Sequence, residues 1–162
     1  MKIVILDPEI PGNTGAIGRL CAGINAELII VGKPSFELSE KAARRAGLDY
    51  WKHLSLKTYT NFENYLKVEN PNHFFLFTKR AKTNLFDEII PQDSHLIFGC
   101  ESLGLPLEIQ KKYDTRTLRI PIFHSEVRSL NLANAVSVAA YCTLYQEHRI
   151  LVQKSFLNPP TS

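Results

Sequence analysis

The fold is decided first by two apolar runs, Lys2-Ile3-Val4-Ile5-Leu6 and Glu27-Leu28-Ile29-Ile30-Val31. Both are rich in β-branched residues and are bounded by polar or glycine-containing segments, which predicts buried strands. Between them, the apolar residues from Ile17 to Ile24 recur at helical spacing, and Asn13 is a candidate cap for that helix. The first 31 residues therefore predict a β-α-β unit.

Three later apolar runs, 73–78, 94–98 and 117–122, also predict strands. They are nearly continuous rather than alternating, which is typical of parallel strands that are covered on both faces. The expected fold class is therefore α/β, with a mostly parallel sheet and helices on both faces. Weaker signals predict further elements: helices at 39–46, 62–68 (capped by Asn61), 107–113 and 130–150, and a strand near 54–56.

The composition indicates an ordinary globular protein. The chain has 162 residues, 44% of them hydrophobic and 22% charged, which excludes collagen-like and wholly disordered classes and suits one domain. We expect that domain at 1–155 and a frayed tail at 156–162. The net charge of +3 permits a polyanionic partner without requiring one.

The cysteines and the N-terminus bear on the compartment. Cys21, Cys100 and Cys142 are an odd number at wide spacing, which suits neither a disulfide framework nor a zinc site. The N-terminus does not have the pattern of a secretory signal, and no apolar run is long enough to span a membrane. We therefore expect a cytoplasmic protein that has no membrane partner.

The last predicted helix is apolar in nearly every direction from Leu130 to Leu144. A helix of this kind is buried on more than one side. In so small a domain, one side can pack on the sheet and the other on a second copy of the chain. We favour this homodimer over the alternative of a well-buried helix within a single chain.

Three glycine- or asparagine-bearing loops follow predicted strands, where open α/β sheets bind ligands. The first, 8–19, lacks the glycine spacing of dinucleotide or Walker A loops, but its helix N-terminus beside Arg19 is a candidate phosphate site. The second, 98–106, contains Glu101, which is either a cap or a ligand contact. In the third, 120–135, Ser129, Asn131 and Asn134 crowd one helix start, where a single cap would suffice.

These motifs resemble, in order and spacing, those of the SpoU branch of the SPOUT RNA methyltransferases. The resemblance rests on Asn13-Thr14-Gly15 with Arg19, on Gly99 to Pro106, and on Ile120-Pro121 followed by Ser129 to Ala135. It covers about residues 2–150. The opening Asp7 to Pro11 and the stretch Arg44 to Tyr50 are most similar to the minimal members, which methylate the ribose 2′-oxygen of the tRNA wobble nucleotide, cytidine or a modified uridine.

The resemblance implies a C-terminal deep trefoil knot, bound S-adenosylmethionine, a homodimer, and the tRNA anticodon stem-loop as substrate, with no metal. The implied catalytic residues are Asn13, Arg19, Glu101, Ser129 and Asn131. The implied cofactor-binding residues are Phe77, Thr78, Gly99, Glu101, Ile120, Ser129 and Asn134. The implied RNA-binding residues are Arg19, Arg44, Arg45 and Tyr141.

Arginine is effectively always protonated, so we prefer Arg19 as a phosphate anchor and stabiliser of the forming oxyanion, while a role as base stays open. Two residues depart from the family pattern: Cys100 stands in place of proline, and Leu103 in place of a common arginine. Two other functions are considered: a non-catalytic RNA-binding dimer of the same fold, and a flavodoxin-like nucleotide-binding module, which lacks its phosphate fingerprint here.

Overall fold

The computed structural model describes residues 1–39 and 48–157, with side chains as far as residue 149. Within these residues, seven strands form one sheet in the order β3-β2-β1-β6-β4-β7-β5, and every neighbouring pair is parallel. The strands are β1 (Lys2–Leu6), β2 (Glu27–Val31), β3 (Leu56–Tyr59), β4 (Phe74–Phe77), β5 (Thr83–Asn84), β6 (His95–Phe98) and β7 (Thr117–Arg119).

Four α-helices are described alongside the sheet: α1 (Pro11–Gly23), α2 (Phe62–Glu69), α3 (Leu107–Lys112) and α4 (Leu132–Leu157). Short 3-10 turns occur at Asp49–His53, Leu85–Asp87 and Asp114–Arg116. None of the described helices is long and apolar enough to cross a membrane.

Successive residues of β1 point to opposite faces of the sheet, because side chains alternate along a strand. Ile3 and Ile5 join a core with α1 and α4, while Val4 and Leu6 join a second core with α2 and α3. All four side chains are at most 3% exposed. The predicted parallel α/β sheet with helices on both faces is thus confirmed.

Two predicted boundaries were wrong for local reasons. Asn13 does not cap α1: the helix begins at Pro11, which suits the first helical position, and Ile10 is its N-cap residue. The last strand ends at Arg119 rather than Ile122, since Pro121 cannot donate to a sheet. The predicted cap at Asn61 is confirmed by the hydrogen bond that its Oδ1 accepts from Asn64 N at 2.8 Å.

The C-terminal helix α4 continues to Leu157, past the predicted end near residue 150. Residues 132–158 contain no proline or glycine, so neither residue type stops the helix before Pro159. Residues 156 and 157 of the predicted tail are therefore helical. The rest of that tail, and all of the predicted helix at 39–46 except Ser39, lie outside the described residues.

Part of α4 is buried and part is open to solvent. Ala139 and Ala140 are fully buried against the sheet side. Val138, Tyr141 and Tyr145 are exposed, and their i, i+3, i+7 spacing places them on one helix face. The helix therefore presents an uncovered apolar and aromatic face on a single chain.

The last strand, β7, is inserted between β4 and β5, which precede it in the sequence. It pairs with β4 through Leu76 and Phe77, and with β5 through Thr83 and Asn84. The segment 78–82 joins β4 to β5 across the end of β7, and Thr78 N donates to Leu118 O at 2.9 Å. Strand β7, from the C-terminal part of the chain, thus lies within the earlier connection that joins β4 to β5.

An ionic network lies at the amino edge of the sheet, centred on the buried carboxylate of Glu69. It accepts hydrogen bonds from Lys2, Tyr59 and Lys57, and both lysines also pair with Glu27. Burial alone would raise the pKa of Glu69, but the hydrogen bonds from these three side chains outweigh it and lower the pKa to about 2. The network joins β1, β2, β3 and α2.

The Glu69→Gln variant should be less stable than the wild type at pH 7, by about 1–2 kcal/mol, after allowance for solvent screening of the lysines. A lowered folded-state pKa adds stability above the ordinary carboxyl range, which is lost as the pH falls from about 4.5 towards 2. The variant should therefore lose less stability in acid. Urea unfolding at several pH values measures this, with exposed Glu63→Gln as control; identical pH dependence in Glu69→Gln and wild type would contradict it.

Candidate active site

The loops after β1, β4, β6 and β7 surround a cleft of about 580 Å³ at the carboxyl edge of the sheet. Its wall includes Phe77 and Phe98, which stack with ring centroids 4.6 Å apart and an interplanar angle of 11°. Parallel strands bring their carboxyl ends to one edge, which is why loops distant in sequence meet here. The candidate residues that line the cleft are Asn13, Phe77, Thr78, Gly99, Glu101, Ile120, Ser129 and Asn131.

A chain of hydrogen bonds joins the three motif loops. Asn131 Nδ2 donates to Asn13 Oδ1 at 2.9 Å, and Asn13 Nδ2 donates to Glu101 Oε1 at 2.9 Å. The Glu101 carboxylate also accepts from the backbone N–H groups of Glu9, at 2.8 Å, and Ile10, at 3.2 Å. One asparagine and one carboxylate therefore fix all three loops relative to each other.

This arrangement excludes the cap role of Glu101 and argues against one further expectation. Glu101 does not cap α3, whose N-cap residue is Pro106. It holds the entrance of α1, where we expected a phosphate. A negative carboxylate at that position opposes a second anion, so the structure does not support a phosphate site there.

Asn131 is the one polar residue of the third loop that caps α4. Its Oδ1 accepts the backbone N–H of Asn134 at 3.3 Å, while its Nδ2 is free to bind Asn13. Ser129 lines the cleft, whereas Asn134 is not among the described residues that do so. The structure therefore assigns Asn134 no place on the cleft wall.

Arg19 lies away from this cleft. It is six residues after Asn13 on α1, about 240° around the helix axis, so the two side chains point to different sides. Its guanidinium lies 4.6 Å from the Tyr50 ring centroid and 3.8 Å from Asp49 Oδ1, at a second hollow of about 510 Å³ that Trp51 also lines. A single chain thus does not unite Arg19 with the other candidate catalytic residues.

Three residues that the sequence analysis missed hold the second loop. Glu9 accepts hydrogen bonds from Ser102 N, at 3.0 Å, and Ser102 Oγ, at 2.7 Å. These bonds from Ser102 lower the pKa of Glu9. Gln110 donates through Nε2 to Leu105 O at 2.6 Å, and its Oε1 accepts from Thr78 Oγ1 at 2.9 Å.

The second loop is tightly folded on itself. Gly104 has a φ of +72° and donates its N–H to Cys100 O at 3.0 Å. A Cβ on Gly99 would lie 2.0 Å from the Gly104 carbonyl carbon, so only glycine allows this close approach. Leu103 stands on the cleft rim and is 88% exposed.

The other candidate residues are placed as follows. Arg44 and Arg45 lie outside the described residues. Tyr141 lies on the exposed face of α4 and is 58% exposed. Within the part of the chain that the structure describes, no group of three or more His, Cys, Asp or Glu side chains could hold a metal ion.

Fold and site together define a parallel α/β domain with a cleft at the carboxyl edge of its sheet, between three joined loops. The chain belongs to the SpoU rRNA methylase family, whose model matches residues 1–141. It is 40% identical over 142 residues to the tRNA (cytidine(34)-2′-O)-methyltransferase of Aeromonas hydrophila, covering 87% of this chain and 90% of the relative.

Solved structures agree with this family. One, described as giving structural insights into the 2-OH methylation of C/U34 on tRNA, has a TM-score of 0.83 and 37% identity, covering 91% of this chain and 96% of the other. The SpoU methyltransferase AviRb from Streptomyces viridochromogenes, in complex with the cofactor AdoMet, has a TM-score of 0.78 at 23% identity, covering 92% of this chain and 61% of AviRb. The second likeness shows the shared fold.

Proposed function

We propose that the chain is an S-adenosylmethionine-dependent methyltransferase that methylates the ribose 2′-oxygen of the wobble nucleotide of tRNA, position 34, as named for its relative. The observation that carries this proposal is the chain of hydrogen bonds between Asn131, Asn13 and Glu101, which holds the three motif loops around one cleft. Cytidine and uridine are both proposed as substrates, in keeping with the C/U34 description of a similar structure.

The cleft suits S-adenosylmethionine by its own shape and chemistry. About 580 Å³ lies within the usual range for a small-molecule site, roughly 300–1,000 Å³. Phe77, Phe98, Ile120 and Leu132 provide apolar walls for a flat purine ring, and the bent second loop offers backbone polar groups at the rim. When bound, the cofactor would supply a methyl group carried on a sulfonium sulfur.

The residues of the cleft act chiefly by positioning. In-line displacement depends on the alignment of the reacting atoms, and such alignment alone contributes much of an enzymatic rate. The amides of Asn13 and Asn131 are neutral, and the Glu101 carboxylate already accepts three hydrogen bonds. We therefore assign these three residues to holding the loops in register, with the hydroxyl proton leaving to water or to the RNA phosphate.

Arg19 would serve the cleft of a second copy of the chain. It does not reach the cleft of its own chain, and α1 packs beside α4, whose exposed face carries Val138, Tyr141 and Tyr145. An uncovered face of this kind can pack on itself across a twofold axis. In such a homodimer, Arg19 would bind the substrate phosphate and stabilise the oxyanion that forms on the ribose.

The deep trefoil knot is part of the same proposal. Its support is the position of β7, which lies between β4 and β5 under the segment 78–82. A chain that continues from β7 through 120–131 into α4 has to pass this crossover. Knots are rare, so the proposal rests on this strand order together with the family.

For RNA contact we propose Arg44 and Arg45, with the anticodon stem-loop as ligand, together with Tyr141, which would lie at the border of the dimer contact and keep its ring open to the RNA. An aromatic ring and guanidinium groups are suited to splayed bases and phosphates. We place the enzyme in the cytoplasm, since Cys21, Cys100 and Cys142 are free thiols, as is usual in a reducing compartment.

Incubation with S-adenosylmethionine labelled in the methyl group and an unmodified tRNA transcript should label nucleotide 34 and make its 3′ phosphodiester resistant to alkali, because a 2′-O-methyl group blocks that cleavage. A transcript with a 2′-deoxynucleotide at this position should stay unlabelled. Binding of tRNA without any incorporation would favour the non-catalytic RNA-binding dimer instead. Label on the deoxy transcript would exclude the proposed position.

A further inference from the structure

We infer that Glu9 is a positioning residue for the cofactor cleft: its carboxylate holds Ser102, and so sets the shape of the loop Gly99–Gly104. The inference rests on the proposed function, because it assigns that cleft to S-adenosylmethionine. Glu9 lies in the first loop, outside the cleft wall, and acts on the cofactor only through the second loop.

The geometry is a reciprocal clasp between two chain segments 92 residues apart. Glu9 gives its backbone N–H to Glu101 Oε2 at 2.8 Å. Its own carboxylate accepts from the next residue, Ser102, through both N and Oγ, at 3.0 and 2.7 Å. Glu101 and Ser102, two consecutive residues of the second loop, are thus both hydrogen-bonded to Glu9. Glu101 accepts from the Glu9 backbone, and Ser102 donates to the Glu9 carboxylate.

Glu9 is itself held in place. Its carbonyl oxygen accepts from Ser35 Oγ at 2.7 Å, and Ser35 N donates to Pro8 O at 3.4 Å, so the loop after β2 supports the first loop from the other side. The clasp therefore ties the cofactor loop to two loops that follow the neighbouring strands β1 and β2. Because Ser35 holds the first loop in place, the hydrogen bonds from Glu9 to Ser102 restrict the movement of the second loop.

The clasp requires polar atoms at residue 9 that reach both Ser102 groups. The Ser102 N–H can only donate, whereas the Ser102 hydroxyl can donate or accept. Glutamine could therefore keep both contacts, with Oε1 accepting from Ser102 N and the NH₂ group donating to Ser102 Oγ, whereas alanine keeps neither. Glu9→Ala should therefore break the clasp, and Glu9→Gln should preserve most of it.

Without the clasp, the Gly99–Gly104 loop would sample other shapes, and cofactor binding would have to restrict it again. We expect Glu9→Ala and Ser102→Ala each to weaken binding of S-adenosylhomocysteine about tenfold, the scale of one hydrogen bond to a charged group. The rate of tRNA methylation at saturating cofactor should stay within about twofold of the wild type, because the reacting groups are unchanged once the loop has closed. The KM for tRNA should not move.

The experiment is calorimetric titration with S-adenosylhomocysteine, without RNA, alongside steady-state kinetics. The matched controls are Glu63→Ala and Ser55→Ala; the second removes a serine hydroxyl that also bonds a glutamate, Glu27, but at the amino edge of the sheet. Ser102→Thr keeps both donors and should bind like the wild type. The double variant Glu9→Ala/Ser102→Ala should lose no more affinity than the weaker-binding single variant.

The outcomes separate this inference from the proposed function. If the wild type does not bind S-adenosylhomocysteine, the proposed function fails. If the wild type binds, and Glu9→Ala and Ser102→Ala bind equally well, the clasp does not set the cleft and the inference is overturned. A fall in the maximal rate with unchanged cofactor affinity would also overturn it, since it would place Glu9 in contact with the reacting substrate. Ser102 also lines the cleft, so a loss of affinity in Ser102→Ala but not in Glu9→Ala would show a direct contact with the cofactor and would overturn the inference as well.

Discussion

Arg19→Ala should lower the rate of tRNA methylation by about 10²- to 10³-fold, the scale of one preorganised electrostatic contact to a forming oxyanion. Arg19→Lys should keep part of the activity, because lysine supplies the charge without the bidentate fork. Cofactor affinity should be nearly unchanged in both variants, because Arg19 is proposed to contact the substrate, whereas the cofactor cleft is lined by other residues. Steady-state kinetics and calorimetry measure the two effects separately.

The control for this prediction is Arg116→Ala, which also removes a guanidinium from an aromatic ring: Arg116 lies 4.3 Å from the Phe74 ring centroid. Arg116 precedes β7, at the amino edge of the sheet, and its loss should leave methylation intact. If Arg19→Lys is as inactive as Arg19→Ala, and the wild-type rate keeps rising with pH, Arg19 acts as the base instead. Near-normal methylation by Arg19→Ala would remove it from the site.

The same residue tests the homodimer. If Arg19 serves the cleft of the second chain, a heterodimer of an Arg19→Ala chain and a Gly99→Ala chain has one complete site, and tandem-affinity purification through two different tags isolates it. It should recover about half of the wild-type activity, while each parent homodimer stays inactive. Sedimentation should give twice the chain mass. A monomer, or a purified heterodimer without activity, would contradict the shared site.

Gly99→Ala should abolish detectable cofactor binding. The added Cβ would lie 2.0 Å from the Gly104 carbonyl carbon and 2.2 Å from Leu105 N. These are backbone atoms held by the Cys100–Gly104 hydrogen bond, so the loop has to open, at a cost of about 1–3 kcal/mol or more. We expect cofactor affinity to fall by at least about 100-fold, and the midpoint of thermal unfolding to fall as well.

Gly23→Ala is the matched control for Gly99→Ala. Gly23 lies at the end of α1, and a Cβ there would have no neighbour within 4 Å. Alanine favours the helical conformation over glycine, so this variant should bind cofactor normally and be at least as stable as the wild type. Normal cofactor binding by Gly99→Ala would show that the loop is not held in the conformation described.

The central strands could be predicted from the sequence because burial on both faces leaves a continuous apolar run, as in β1, β2 and β6. The edge strand β5 could not. It consists of Thr83 and Asn84 alone, and is a strand only because β7 lies beside it. The strand conformation of β5 therefore depends on its pairing with β7 and not on the composition of its own two residues.

The residues of the site also divide into those that the sequence could predict and those that it could not. Asn13, Glu101 and Asn131 belong to recognisable motifs, so their meeting in one cleft could be predicted. Glu9 and Gln110 could not, because an exposed glutamate and a helical glutamine are ordinary surface residues until the fold brings Ser102 and Thr78 to them. The order of the motifs also gives no direction around a helix, so the sequence could not predict whether Arg19 faces the cleft of its own chain.

The insertion of β7 between β4 and β5 has a consequence for biosynthesis. A chain that emerges from the ribosome exposes β4 and β5 before β7 has been made, and within the described residues β5 has no strand partner other than β7. The wall formed by Ile120, Ser129 and Asn131 also comes last. If the cleft binds the cofactor as proposed, binding would begin only once the C-terminal part of the chain is available, and a fragment from interrupted translation would carry the first two motifs without a complete cleft.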